Sequence, residues 1–348
     1  MASRKLSVGY HAGEYEGLDC SWSRGVSRYR EFVSEVFFPL PGMVSGVRQS
    51  DFADGGNVSR FYRDLSRLRA MDIDGVLLLD AACFGGDVVS ESFFRTVERG
   101  VQAVKEAIHL KAVVTMTPPL AEFLKKAFPK LEIRASVNER IGFVNQMEYA
   151  GRCYDGFYLR SDLCRDVRLV EKSRKWCDAH GKTLHLVANS GCLYECPFML
   201  EHLNTMGHQA EIAAGGSAWS GRAMQCREAL AEEANRVKIL QGGWIRPRDL
   251  SRVETFFDTI ALLSNDIQQA LKVLAAYTTG RWDGDLLELL EPCHAGLEGM
   301  PPIRDDALPD DWFEKTSTCG HACADCNYCE NVFQRMVALA TAKAKGGE

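Results

Sequence analysis

Short β-branched or apolar runs alternate with amphipathic stretches along most of this chain, and that alternation restricts it to a parallel sheet covered by helices. Candidate strands are Leu6–Tyr10, Glu35–Phe38, Gly75–Leu79, Ala112–Met116, Glu132–Ala135, Gly156–Arg160, Thr183–Val187, Val237–Leu240 and Phe256–Ala261. Between many of them, as in SESFFRTVERGVQAVKEAI and DVRLVEKSRKWCDAH, apolar residues recur at three- and four-residue spacing, the helical period. Eight or nine strands in series fit a closed (β/α)8 TIM-barrel-like domain better than an open doubly wound sheet. No GxGxxG follows the first strand, which weakens the open, dinucleotide-binding alternative. The pattern closes with the helix NDIQQALKVLAAYTTG, so residues 1–280 are read as the barrel and 281–348 as a C-terminal extension ending in a helix over about 330–343.

The chain carries a net charge of −6, which argues against gripping nucleic acid with its whole surface. A local basic groove remains compatible with that balance. No apolar run reaches the ~18 residues needed to span a bilayer, and MASRKLSVGYH lacks the apolar core of a signal peptide. The expectation is a cytoplasmic protein whose thiols stay reduced. Its 13 cysteines, an odd number, then point to metal binding rather than a disulfide framework. Cys83, Cys153 and Cys177 are scattered and read as small buried hydrophobes. No G-x-S-x-G, P-loop or HExxH is present.

Seven cysteines fall into two sets. Cys192 and Cys196, in NSGCLYECP, follow the candidate strand TLHLVA, and Cys226 lies in the next long connection. Residues just past a barrel strand line the C-terminal face, where barrel active sites form. One helical turn would place the two sulfurs of this C-x3-C on one side. Pro197 suits the first turn of the helix FMLEHLNTMGH, whose N-terminus favours thiolate. Three such ligands suit either iron–sulfur or zinc. The second set is Cys319, Cys323, Cys326 and Cys329, in C-x3-C-x2-C-x2-C spacing. Its first three reproduce the spacing of radical S-adenosylmethionine enzymes, but they come after the barrel pattern instead of at its first strand, so that reading is set aside. A 4Fe-4S cluster, a structural zinc, no metal, or a ligand lent to the mid-chain set by a folded-back tail are the readings left open.

Among polar residues, His202 and His208 share a helix but not a face. His202 is the stronger functional candidate; the bland reading of each is a surface or satisfied core histidine. Arg246, in GGWIRPRDL, is a candidate for binding a substrate carboxylate or phosphate, or equally a capping or ion-pair arginine. Asn189 precedes Cys192 and is a candidate cofactor contact or a residue satisfying turn backbone. Asp80 and Arg134 sit at or near strand ends, where they could face the barrel mouth; each is a lesser functional candidate.

The run NSGCLYECPFMLEHLN, followed by Cys226 and GGWIRPRDL, resembles the peptidase U32 family. SEVFFPLPGMVSGVR, EIRASVNERIGFVNQMEYAG, LRSDLCRDVRLVE and AAYTTGRWDGDLLELL agree, so the likeness covers most of residues 1–290. The family name comes from collagenase-like members; others resemble oxygen-independent hydroxylation factors that carry a 4Fe-4S cluster and act on RNA or in quinone synthesis. The resemblance implies a barrel-like fold, with Cys192, Cys196 and Cys226 as cluster ligands. The fourth ligand stays open: PLPGMVSGVR has no cysteine, and Cys164 stands where relatives tend to have Asn. The longer RNA-related C-terminal domains of the family are not evident. A small molecule or peptide substrate, or a protein partner, is therefore favoured over nucleic acid. Three functions follow: an iron–sulfur oxidoreductase with His202 or Arg246 positioning substrate, a U32-type peptidase, or a non-catalytic electron-transfer or assembly partner.

Overall fold

The computed structural model describes residues 5–12, 22–45, 55–86, 88, 90–208 and 225–345. Eight strands run in chain order: β1 (Leu6–Gly9), β2 (Val33–Pro39), β3 (Asp74–Leu79), β4 (Leu110–Thr115), β5 (Glu132–Ala135), β6 (Gly156–Tyr158), β7 (Thr183–Val187) and β8 (Thr259–Leu262). All pair in parallel, and β8 returns to β1 through Leu6↔Ile260, closing the barrel. The helices outside carry the signals that their sequences foreshadow. Helix Glu91–Ala107 is capped by Ser90, whose side chain accepts from the Phe93 N–H, and it buries Val97, Val101 and Val104 on one face. Helices Val167–His180 and Ile267–Thr279 start at Asp166 and Asp266 caps and end at Gly181 and Gly280, with φ of 61° and 67°.

One expected strand is overturned. Lys238–Gln241 forms a short helix where Val237–Leu240 was expected to be a strand. A four-residue apolar run does not distinguish a buried strand from a buried helical turn. Its Ile239 and Leu240 are fully buried, while Thr259–Leu262 takes the eighth place in the barrel. The final helix spans Tyr328–Lys345. Beyond residue 280, Leu287, Ile303, Trp312, Phe313 and Phe333 join the same hydrophobic cluster as the barrel's outer layer.

The barrel interior is stratified. Its middle is apolar, built from Phe37, Val76, Leu78, Ala112, Val114, Tyr158, Val187 and Ala261. Toward the N-terminal ends lies a charged layer. Arg134 of β5 donates twice to Glu35 of β2 at 2.8 and 3.0 Å, and once to Glu132 at 2.7 Å. Lys111 reaches Glu35 at 2.7 Å, and His185 bridges Thr183 and Thr259 at 2.8 and 2.7 Å. Arg134 therefore does not face the mouth as expected. Residues two apart share a strand face, and Glu132 draws the guanidinium toward the opposite end.

Glu35 and Arg134 are 0% and 1% exposed, so neither ion has water to fall back on. Burial alone would raise the Glu35 pKa, but Arg134 and Lys111 overcome it and hold the carboxyl at about 2. Glu35→Gln leaves Arg134 short of its partner and is expected to cost about 3–5 kcal/mol in urea unfolding. Because the folded pKa lies below the ~4.3 of a free Glu, this contribution is complete above that value and lost as pH falls through about 2. The wild type is therefore expected to lose stability relative to Glu35→Gln over that acid range.

Candidate functional site at the barrel mouth

Above the apolar layer, the C-terminal strand ends carry three polar groups. Asp80, just past β3, is buried and accepts from Ser45 at 2.9 Å, Ser136 at 3.1 Å and Asn138 at 3.4 Å. Across the mouth, His11 after β1 meets the Ser264 hydroxyl after β8, with Nε2 and Oγ 2.7 Å apart. The third group is ionic. Arg160, past β6, forks onto Asp162 at 2.7 and 2.5 Å and reaches Glu195 at 2.9 Å, while Arg140 approaches Asp162 at 3.3 Å. Burial alone would raise the Asp162 pKa, but Arg160 and the Glu195 N–H lower it, so it is held ionised.

That carboxylate shapes the C-x3-C loop. The Glu195 N–H donates to Asp162 at 3.0 Å, and Glu195 adopts a left-handed φ of 47°. Cys192 and Cys196 therefore lie on a turn and not on one helical turn, and the following helix begins at Met199, two residues beyond Pro197. The Asp162 contact outweighs the helical tendency of LYECP. At the near end of the loop, the Cys192 N–H donates to Ser190 Oγ at 3.3 Å. Asn189 is buried and its amide is fully engaged: Nδ2 donates to the Leu263 and Leu289 carbonyls at 2.8 and 2.7 Å, and Oδ1 accepts from the Leu263 N–H at 2.7 Å. It joins β7, β8 and the segment after the barrel.

Cys226 stands near the start of helix Gln225–Ala231. Burial pushes the Cys192 thiol up to about 12, helped by Cys226 and Cys196, and the Cys226 thiol up to about 11, helped by Cys196. His202 is half-buried on helix Met199–Gly207, and burial depresses its pKa. Arg246 is buried with its fork on Asp249 at 2.5 and 3.2 Å and Asp305 at 3.5 Å. Cys164 is sealed in the core, its thiol pushed far up by burial.

The tail returns to this face. His321, between Cys319 and Cys323, stacks on Tyr194, between Cys192 and Cys196, with ring centroids 4.0 Å apart and planes 5° from parallel. Within the tail, burial raises the pKa of the Cys323 and Cys329 thiols, and the neighbouring cysteines add to it. Both sets have the donor chemistry of a thiophilic metal centre. Among the described residues, however, no three His, Cys, Asp or Glu side chains already converge on one point. Arg140, Arg160, Asp162, Glu195, His11 and Ser264 are among the mouth residues that the sequence did not single out. The only local hint was the charged Arg160-x-Asp162 immediately after a strand.

A closed (β/α)8 barrel with a thiol-rich loop at its C-terminal mouth defines the class of protein. No family profile matches the chain. It is 30% identical over 341 residues to an uncharacterized protease of Methanocaldococcus jannaschii, covering 94% of this chain and 97% of that one. The structure of a U32 peptidase superposes with a TM-score of 0.52 at 12% identity, covering 75% of this chain and 93% of that one. The chain belongs to the peptidase U32 family.

Removing the Asp162 carboxylate tests the loop's anchor. Asp162→Ala leaves the buried Arg160 with only the exposed Glu195 as partner and is expected to cost about 3–5 kcal/mol in thermal or urea unfolding. It is also expected to speed iodoacetamide labelling of Cys192, read by peptide mass spectrometry. In the metal-free wild type, the exposed Cys319 and Cys326 should label before Cys192 and Cys226.

Proposed function

We propose that this U32 protein is an iron–sulfur oxidoreductase whose chemistry runs at the barrel mouth, an oxygen-independent hydroxylation or related redox modification of a small molecule, peptide or RNA. The observation that supports this reading is the C-x3-C loop of Cys192 and Cys196, held at the mouth just past β7 by the Asp162–Glu195 contact, with Cys226 at the start of the next described helix. The donor set suits a 4Fe-4S cluster: soft thiols, partly screened from water. When bound, such a cluster supplies one-electron redox chemistry and, with three protein ligands, an iron open to substrate. The chain's own residues do the rest. Asp162 fixes the loop, Asn189 fixes its stem, and the apolar layer below closes the barrel to water. Arg140, about a quarter exposed, is the charge at the mouth that orients an anionic substrate. His202 stays neutral at neutral pH and is a further positioning candidate. Arg246, engaged by two carboxylates, is assigned to the wall of the fold.

Anaerobic purification followed by iron, sulfide and EPR measurements tests this. Iron and acid-labile sulfide should be present, and Cys192→Ala should remove the corresponding signal. Protein that holds neither iron nor sulfide after anaerobic reconstitution overturns the proposal.

One observation favours a second reading, hydrolysis of peptides. The His11–Ser264 contact at 2.7 Å is a hydroxyl within reach of a base at a barrel mouth. In that reading His11 takes the Ser264 proton as the hydroxyl attacks a carbonyl. Gelatin and collagen-like peptides are the substrates to assay. Cleavage that survives in cluster-free protein and falls by at least ~100-fold in Ser264→Ala would favour the peptidase.

A further inference from the structure

Arg165 is a cation in an unusual setting. It is 3% exposed, and no carboxylate lies within ion-pair distance of it among the described residues. Its guanidinium donates only to backbone, to the Leu240 carbonyl at 2.8 Å and the Trp244 carbonyl at 3.4 Å. Its guanidinium carbon lies 5.8 Å from the Trp244 ring centre and 5.1 Å from that of Trp312. Carbonyls and aromatic faces offset part of the cost of burying a charge, but supply no counter-ion.

The tail cysteines are built onto this cation. Trp312 stacks at 6.2 Å on Tyr328, the neighbour of Cys329. Cys319 donates to the Thr316 carbonyl at 3.5 Å, and the Val167 N–H donates to the Ser317 carbonyl at 3.2 Å. Trp312 thus stands between Arg165 and the Tyr328–Cys329 start of the last helix. Gly320 and His321, with φ of 66° and 55°, fold the first C-x3-C into a tight turn. Cys326 and Cys329 flank the start of an 18-residue helix.

We propose that Cys319, Cys323, Cys326 and Cys329 form a tetrathiolate metal site, for zinc or a 4Fe-4S cluster, with Arg165 as its built-in counter-cation. Four neutral thiols leave Arg165 unbalanced. Loading releases four protons and places a dianionic centre beside it, whether the metal is Zn²⁺ or an oxidised cube. Among the described residues no three of these side chains converge, so loading requires them to turn inward. This site uses none of Cys192, Cys196 and Cys226, and it stands whether or not the mouth binds a cluster.

The test uses the full chain purified anaerobically with Cys192→Ala and Cys196→Ala, which remove the mouth set. About one zinc, or about four irons with four sulfides, is expected per chain, and the two sources are told apart by the sulfide. Adding Cys319→Ser and Cys326→Ser should abolish that metal; unchanged metal content overturns the site. In the wild type, alkylation mapped by mass spectrometry should show all four tail cysteines protected until a strong chelator is added. Equal labelling with and without chelator also overturns it. For Arg165, R165M should release metal to the chelator at least about tenfold faster, and R165K within about threefold of wild type. Metal-free R165M should be at least as stable as the metal-free wild type, since an unbalanced charge is gone. Wild-type release kinetics in R165M, or a metal-free R165M that is less stable, overturns the counter-ion assignment.

Discussion

The pairing of Glu35 with Arg134 crosses the inside of the barrel from β2 to β5, and much else depends on it. Two parallel N–H···O bonds fix both the distance and the rotation between strands that are not neighbours. With strands as short as three and four residues, few ladder bonds define the register on this side. A buried bidentate contact supplies orientation that those bonds alone do not. Lys111, Glu132, His185 and the two threonines extend it into a continuous polar floor. Above that floor the apolar layer is free to be tightly filled, and the mouth is free to carry charge.

The mouth repeats the same device for a different purpose. Asp162 accepts from Arg160 and from the Glu195 backbone, so one carboxylate joins the end of β6 to the loop after β7. Neither partner is a thiol, yet together they fix the backbone between Cys192 and Cys196. The shape of the thiol loop thus rests on residues other than its thiols. Asn189 serves the same end from below, with every polar atom of its amide committed to backbone.

Much of the fold is legible in the sequence because strand and helix periods differ and each long helix carries its own cap. β5 and β7 can be read to the residue from their β-branched and apolar runs. Val237–Leu240 is not legible, since four apolar residues suit either state and only the closure of the barrel decides. Of the site, the cysteine spacings are visible because donor type and count are local properties. Arg134 was misplaced because the pull of Glu35 comes from 99 residues away. The His11–Ser264 contact is invisible for a similar reason: it joins the first strand to the last, a proximity created only when the barrel closes. Arg165 sits in a stretch that reads as an ordinary helix entry, and its setting depends on two tryptophans far along the chain.

The stacked Tyr194 and His321 rings join the two cysteine loops at their centres. The loops accordingly form one mechanical unit, although more than a hundred residues separate them in sequence. Any free energy that links the states of the two loops is reciprocal: a ligand that tightens one by a given factor is itself tightened by the other by the same factor. A change that shifts either loop is therefore met by the other through this stacked contact.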